Sequence, residues 1–251
     1  MAFAGFAHFT AMQMRDRSVR GLALHLARLR SASDTMFGTH LDDDVVSAHL
    51  RQAVAAGPDD ASVTVFVASR PGEFEAAEMP TLETFVRISD PADLPAGPLS
   101  LDITPHVRDL PEVKHVGEVG KTLHLRRARA RGFDDALFVD GEQHVSEATI
   151  WNIVFWDGSR ILWPRAAMLD GITQQVARQQ LSRSGVQQQT LPVPVAHISP
   201  RWSAAIMNSW SPGIAVSRIG NVNLSEATPL LEILHQAHTV SEPQDLRHPF
   251  E

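Results

Sequence analysis

The sequence predicts an α/β (α+β) protein with a small N-terminal α/β domain, residues 1–95, and a larger domain, residues 96–251. Helical and strand-like patterns alternate before residue 89. The proline-rich segment 89–98, SDPADLPAGP, reads as a loop, which places the domain boundary there. Beyond this loop, a charged helical segment is followed by short alternating apolar runs, which are typical of strands.

The small domain begins with two short strands in residues 8–20, joined by a turn around Asp16. Apolar residues then recur at helical spacing from Leu22, and Gly38 ends that helix. We expect the Asp42–Asp44 group to cap a second helix, which Gly57 ends. Two further strands are expected at 61–69 and 83–89.

The larger domain contains the stretch that carries most of the chemistry. Lys114 precedes a helical stretch, and two alternating apolar runs then close on Glu147 and Asn152. Another helix starts near Gly171, and a turn is expected at Ser209. Further elements are expected at 99–104 (strand), 159–165 (strand) and 225–238 (helix). We expect the tail after residue 240 to be frayed.

Composition excludes several classes of function. The net charge is −7, and no basic run alternates with aromatic residues, so no nucleic-acid surface is expected. The chain has no cysteine, and its histidines lack metal-binding spacing, so neither disulfides nor a metal site are expected. No apolar stretch reaches membrane-spanning length, and the first residues lack the features of a signal peptide. The sequence therefore predicts a soluble cytoplasmic protein without membrane contacts.

The central stretch resembles one known enzyme family. Lys114, the segment 132–137 (GFDDAL) and the pair Glu147 and Asn152 together resemble the fold-type IV, pyridoxal-phosphate-dependent class IV aminotransferase family. The likeness extends from His8 to about Ile219. It implies a larger domain with a β-barrel-like core, pyridoxal phosphate as the cofactor, and a homodimer.

The resemblance implies that a lysine bonds covalently to the cofactor. An attacking amine must be neutral, which a desolvated site favours. Lys114 lies beside apolar Val113 and Val116, whereas Lys121 lies in an arginine-rich helix, where a solvated lysine stays protonated. We therefore predict Lys114 as the catalytic, cofactor-binding lysine. Glu147 is predicted to face the pyridine nitrogen and favour the protonated ring; the alternative is an ordinary exposed strand residue.

Two segments resemble positions where the family binds the cofactor phosphate. Arg28, within the pattern His25-x-x-Arg28-Leu29, offers a planar fork of donors suited to phosphate, although an arginine on a helix surface would look the same. Ser209, with Trp210, occupies the turn of a second phosphate contact in the family. These residues are predicted to bind the cofactor.

A third segment resembles the family's L-x-G-I-T-R helix start. Ile172 and Thr173 would offer free N–H groups and a hydroxyl at a helix N-terminus, which is a ready phosphate site. The alternative is an ordinary helix cap supplied by Asp170. Gln174 stands where the family has arginine, which is a departure from the pattern.

The reaction is predicted as transfer of an amino group between an amino acid and a 2-oxo acid. Thr10 and Asn208 are nearer to the aminodeoxychorismate lyase branch, which makes 4-aminobenzoate and pyruvate by β-elimination, so this alternative stays open. The chain contains no tyrosine, and several usual groups of the substrate pocket are therefore absent. A non-catalytic member of the family is the third reading.

Overall fold

The computed structural model describes residues 5–70 and 80–248. Its strands are β1 (Ala7–Met14), β2 (Ser18–Arg20), β3 (Ala61–Arg70), β4 (Thr81–Ser89), β5 (Leu99–Pro105), β6 (Asp135–Val139), β7 (Val145–Ala148), β8 (Asn152–Trp156), β9 (Ile161–Pro164), β10 (Gln188–Leu191), β11 (Ser203–Asn208), β12 (Ser211–Ile219), β13 (Val222–Asn223) and β14 (Pro243–Asp245). Its α-helices are α1 (Leu22–Phe37), α2 (Asp43–Ala55), α3 (Val119–Ala130), α4 (Ile172–Arg183) and α5 (Thr228–Thr239). The predicted α/β class is confirmed.

Residue contacts divide the chain into two compact units, and the division is not a single cut. The first unit contains Met1–Asp93, Val113–Glu118 and Glu242–Glu251. The second contains Leu94–Glu112 and Val119–Ser241. The short segment that carries Lys114 therefore belongs with the N-terminal residues, although it follows β5 in sequence.

The first unit is an antiparallel sheet in the order β1-β3-β4, with α1 and α2 packed on it. Alternate side chains of β3, such as Val63 and Val65, are buried because successive residues of a strand point to opposite faces. Leu26 of α1 and Leu50 of α2 join them in one apolar cluster. The helical spacing seen in the sequence thus marks the faces that cover this sheet.

The two helix ends differ in how well the sequence predicted them. Gly38 ends α1 in the left-handed conformation, φ 72°, and its N–H donates to the carbonyl of Asp34, as expected of a glycine stop. The predicted side-chain cap of α2 is wrong: Asp42 stands at the N-cap but makes no capping hydrogen bond. Asp43 and Asp44 instead place negative charge in the first turn, where the helix dipole favours it.

The strands of residues 8–20 form, but they pair differently from a simple hairpin. The turn lies at Asp16 and Arg17, both at positive φ, and one bridge joins its ends. β2 then pairs with β14, which lies in the tail that was predicted to be frayed. That prediction is wrong because burial of Val19 and Leu246 in the first unit's apolar cluster holds the tail in place.

The second unit is built on a sheet that closes into a barrel. Its strands follow the order β10-β9-β8-β11-β12-β5-β6-β7, and β7 pairs again with β8. The ring of strands from β8 to β7 is therefore complete, which confirms the predicted β-barrel-like core. The closing pair is a single register match, Glu147 opposite Asn152.

Side chains of the ring alternate between the barrel interior and the covering helices. Ile153 and Phe155 of β8 belong to the interior cluster, whereas Val154 packs with residues of α4 and α5. Likewise Leu137 of β6 points inward, and Phe138 packs with α3. Buried apolar side chains fill the interior of the barrel, and the outer face of the strands is apolar where the helices cover it.

None of the helices in residues 5–70 and 80–248 has both the length and the apolar character that a membrane crossing requires.

Candidate functional site

The predicted site residues fall into two groups, one in each unit. Lys114 and Arg28 belong to the first unit. The second unit holds the remaining predicted residues, which are Glu147, Ile172, Thr173, Ser209 and Trp210.

Lys114 lies on an extended segment that runs along the free edge of β1. The N–H of Phe9 donates to the carbonyl of Lys114 at 2.8 Å, and the N–H of Val116 donates to the carbonyl of Ala7 at 2.9 Å. The ammonium group of Lys114 lies 4.8 Å from the centroid of the Phe9 ring, within cation–π range. The position of this half-buried lysine is thus set by backbone pairing with β1.

Lys121 is not the solvated lysine that the sequence predicted. It is only 8% exposed, because it lies on the same face of α3 as Ala128, two turns further along, and that face packs against β6. Burial therefore does not separate the two lysines as the sequence analysis assumed. The observation that favours Lys114 as the cofactor lysine is that it and Arg28 lie near the same buried histidine, His25.

The charges of Arg28 and Lys114 both lower the pKa of one buried histidine, His25. Nδ1 of His25 and the hydroxyl of Thr10 form a buried hydrogen bond of 2.6 Å. Burial, and then the positive charges of Arg28 and Lys114, lower the pKa of His25 to about 3. The imidazole is therefore neutral, and the two cations near it form a positive group suited to an anionic ligand.

A second neutral histidine supports the same face of α1. Nε2 of His8 and the hydroxyl of Ser33 are 2.8 Å apart, and burial lowers the pKa of His8 to about 4. His8 and Thr10 alternate with Phe9 along β1, so they face α1 while Phe9 faces the other way. Two polar pairs thus fix α1, and with it Arg28, on β1.

Glu147 lies at a β-bulge. In the pairing of β6 with β7, Leu137 faces Ala148 while Val139 faces Val145, so β7 carries one extra residue between these pairs. A bulge bends the strand and re-aims a side chain, and bulges are frequent beside active sites. Glu147 is not the exposed strand residue of the alternative reading, since its side chain is 6% exposed.

The partner of Glu147 is a residue that the sequence analysis missed. Nε of Arg108 donates to Oε1 of Glu147 at 2.6 Å, and the Arg108 side chain is only 2% exposed. Arg108 lies in the loop after β5 and is the only lysine or arginine between Arg87 and Lys114. That isolation was a signal, but nothing in the sequence showed which carboxylate it would meet.

Asn152 of the closing pair anchors the segment that leads into α4. Its Nδ2 donates to the carbonyl of Leu169 at 2.7 Å, and its Oδ1 lies where a Cβ on Gly171 would stand. Gly171 is the N-cap of α4 in an extended conformation and offers no side-chain cap. The alternative reading, a cap by Asp170, is wrong, because Asp170 accepts a hydrogen bond from Gln174 at 3.0 Å instead.

The start of α4 is also tied to the turn between β11 and β12. The hydroxyl of Thr173 donates to the carbonyl of Asn208 at 2.8 Å, so its proton is not available to a phosphate. Within the turn, the N–H of Trp210 donates to Oδ1 of Asn208 at 2.8 Å. The hydroxyl of Ser209 has no hydrogen-bond partner in the part of the chain that the structure describes. Ile172, Thr173 and Ser209 are thus brought together on neighbouring elements.

Trp210 packs against Trp151, which is hydrogen-bonded to a second buried carboxylate. Its ring lies edge-to-face against Trp151, with centroids 5.9 Å apart, and the indole N–H of Trp151 donates to Asp135. Burial raises the pKa of Asp135, and hydrogen bonds from Thr149 and Trp151 oppose that shift. Trp210 thus contacts a buried, hydrogen-bonded tryptophan, although it is itself 37% exposed.

No group of three or more histidine, aspartate or glutamate side chains within 5–70 and 80–248 is arranged to hold a metal ion.

The family model of amino-transferase class IV matches residues 7–219 of the chain. A comparison with curated proteins finds no match.

Solved structures that match the chain share its fold at low sequence identity. A Legionella pneumophila protein provisionally assigned as a 4-amino-4-deoxychorismate lyase superposes with a TM-score of 0.82 at 19% identity, covering 95% of this chain and 92% of that one. A hypothetical aminotransferase from Mycobacterium tuberculosis, in its pyridoxal-phosphate-bound form, gives 0.78 at 20%, with coverages of 94% and 90%. The branched-chain aminotransferase from Thermoproteus uzoniensis, with norvaline, gives 0.84 at 15%, with coverages of 94% and 86%.

Gly171→Ala should destabilise the protein by about 1–3 kcal/mol, because the new Cβ would overlap Oδ1 of Asn152. The backbone of Gly171 suits alanine, so the cost is steric alone. Gly141→Ala is the control: nothing lies within 4 Å of a Cβ there, and a change within about 0.5 kcal/mol is expected. Urea unfolding of both variants measures the difference, and equal midpoints would contradict the close approach.

The stability of the protein should fall at mildly acidic pH because His8 and His25 are neutral when folded. Their folded pKa values, about 4 and about 3, lie below the unfolded value of 6.5. The unfolded chain therefore binds more protons below pH 6.5, so this stability is complete above pH 6.5 and is lost as pH falls towards 4. The slope is roughly 1.4 kcal/mol per pH unit for each histidine.

Urea unfolding between pH 7.5 and pH 4.5 measures this slope. His8→Asn combined with His25→Asn should flatten it, whereas His49→Asn, at an exposed position of α2, should leave it unchanged. The same slope in the double variant and in the wild type would show that other groups cause the acid sensitivity.

Proposed function

The chain belongs to the class IV aminotransferase family, and on this premise we propose that it binds pyridoxal phosphate and moves an amino group between an amino acid and a 2-oxo acid. The observation that carries the proposal is Glu147, a carboxylate held almost completely buried at a bulge of the barrel. The pair with Arg108 offsets the cost of burying this carboxylate, and a carboxylate placed against a pyridine nitrogen favours the protonated ring.

The residues present fit the other parts of the cofactor. Arg28 and Lys114 supply positive charge in the first unit, which suits the phosphate and the covalent attachment. The start of α4 has no side-chain cap, so the N–H groups of Ile172 and Thr173 are available to phosphate oxygens. The hydroxyl of Ser209 adds one more donor. Thr173 contributes through its backbone, because its hydroxyl is engaged with Asn208.

Each residue then has a defined role. When bound, pyridoxal phosphate withdraws electrons from the α-carbon of the substrate. Lys114 would hold the cofactor through its amine. As general base and acid, the same amine would carry a proton from the α-carbon of the substrate to C4′ of the cofactor. Glu147 accepts a hydrogen bond from the ring nitrogen and so favours the protonated ring. Arg28 binds the phosphate through its planar fork and orients the cofactor.

A second candidate function is the β-elimination of 4-amino-4-deoxychorismate. The observation that favours it is Thr10, which resembles the lyase branch in sequence and makes a buried hydrogen bond with His25 close to the charges of Lys114 and Arg28. The similar Legionella pneumophila structure is provisionally assigned as such a lyase, which also supports this candidate. Lys114 and Glu147 would keep the roles described above.

The proposal also includes a homodimer in the cytoplasm. The homodimer rests on the resemblance to the family, and the cytoplasmic location rests on the sequence expectations given above. Size-exclusion chromatography with light scattering measures the oligomeric state.

A turnover assay separates the candidate functions. The protein, loaded with pyridoxal phosphate, should convert a panel of amino acids to 2-oxo acids only when an acceptor 2-oxo acid is present, because the amino group must be passed on. Fluorescence detection of 4-aminobenzoate, with aminodeoxychorismate as the substrate, tests the lyase. Formation of 4-aminobenzoate and pyruvate without amino transfer would replace the proposal by the lyase. Bound cofactor without any turnover would indicate a non-catalytic member.

Lys114→Met should abolish covalent attachment of pyridoxal phosphate, while Lys121→Met should retain it. Methionine keeps an apolar stem of similar length, which limits the cost at the half-buried and buried positions. Borohydride reduction followed by peptide mass spectrometry locates the attached cofactor, and circular dichroism confirms that both variants are folded. Modification of Lys121 in the wild type, or retained attachment in Lys114→Met, would reverse the assignment.

A further inference from the structure

The pair of Arg108 and Glu147 is an unusual feature of the barrel. Both side chains are almost completely buried, at 2% and 6% exposure. Removing two charges from water costs more than a single contact returns, unless the geometry is good and further hydrogen bonds are made. Two well-packed apolar residues would commonly stabilise such a position as well. The pair is therefore better explained by a role of its charges.

The guanidinium group joins Glu147 to the loop after β5. Its Nε donates to Oε1 of Glu147 at 2.6 Å, and a terminal nitrogen donates to the carbonyl of Pro111. The same loop contains Leu110 at a positive φ of 46°, which non-glycine residues rarely adopt. One side chain thus fixes the carboxylate and a bent loop at the same time. The guanidinium holds its donors in a rigid planar fork, whereas the ammonium of lysine is a compact charge on a flexible stem and would not fix both acceptors in the same way.

The two oxygens of Glu147 are used differently. Oε1 accepts the hydrogen bond from Arg108, whereas Oε2 makes no hydrogen bond with the residues of 5–70 and 80–248. The bulge in β7 re-aims this side chain, and Arg108 prevents it from rotating. The carboxylate is therefore presented with one oxygen engaged and one oxygen available as an acceptor.

We infer that Arg108 is a positioning residue, which orients Glu147 so that Oε2 accepts the hydrogen bond of the cofactor's ring nitrogen. The inference rests on the proposed function, because it assigns the ring nitrogen to Glu147. It adds a residue of the loop before Lys114 to the machinery of that site. Without Arg108, the buried carboxylate would lose the charge-assisted hydrogen bond that orients it.

The first experiment measures the ion pair in the cofactor-free protein. Arg108→Met removes the guanidinium that pairs with the buried carboxylate, Glu147→Gln removes the charge of the carboxylate, and the double variant removes both charges. Each single variant should lower the urea midpoint, and the double variant should recover part of the loss, because the two changes are coupled. Arg160→Met, which breaks a partly exposed pair with Asp157, is the control and should change little. Additive losses in the double variant would overturn the coupling.

The second experiment distinguishes positioning from a merely structural role. The dissociation constant of pyridoxal phosphate is measured by tryptophan fluorescence for the wild type, Arg108→Met, Glu147→Gln and the double variant. Arg108→Met should weaken binding about tenfold in the wild-type background, the factor that corresponds to one misplaced hydrogen bond to a charged group. In the Glu147→Gln background the same change should have little further effect, because Arg108 acts through Glu147. Arg108→Lys keeps the charge but not the planar fork, so its constant should lie between those of Arg108→Met and the wild type.

Three outcomes are distinguishable. An equal effect of Arg108→Met with and without Glu147→Gln, with binding intact, would overturn this inference and leave the proposed function standing. A loss of affinity in Arg108→Met that disappears in the Glu147→Gln background would support it. Absence of binding by the wild type would overturn the proposed function and the positioning role together, while the urea measurements would still report the strength of the ion pair.

Discussion

The second unit depends on one register match, the pairing of Glu147 with Asn152 that closes the barrel. Closure removes the free edges of β7 and β8, so the backbone groups there are satisfied within the ring. The two residues of this pair then serve different neighbours. Glu147 binds Arg108 on one side, and Asn152 anchors the entry of α4 on the other. The segment from Glu147 to Asn152 therefore has a structural role in closing the barrel as well as belonging to the candidate site.

The position of Asn152 in the closing pair also explains why residue 171 is a glycine. Asn152 occupies the space beside Gly171, which leaves α4 without a side-chain cap. Thr173 in turn binds the carbonyl of Asn208 and fixes the turn of Ser209 and Trp210. A series of hydrogen bonds and close contacts thus connects the closing strand pair of the barrel to the start of α4 and to the turn. These contacts position the candidate phosphate donors, and loss of one contact would misplace the donors that depend on it.

In the first unit, the cations Arg28 and Lys114 lie near buried polar side chains. His25 and His8 are neutral there, and their hydrogen bonds to Thr10 and Ser33 join α1 to β1 without adding positive charge. Arg28 and Lys114 can therefore lie near the same face without a third cation between them. The arrangement has a cost, since neutral buried histidines make the fold sensitive to acid.

The sequence by itself determined most element types, because hydrophobic period and glycine stops are local properties of the chain. The residues from Lys114 to Glu147 also carry the resemblance to the family, and that resemblance implied the barrel. Only the tertiary structure decided that Arg108 meets Glu147, that Lys121 is buried, and that the tail pairs with β2. These contacts join residues far apart in the chain or depend on which face of an element is covered. No local pattern encodes them, since burial and pairing are settled only when the strands close and the helices pack.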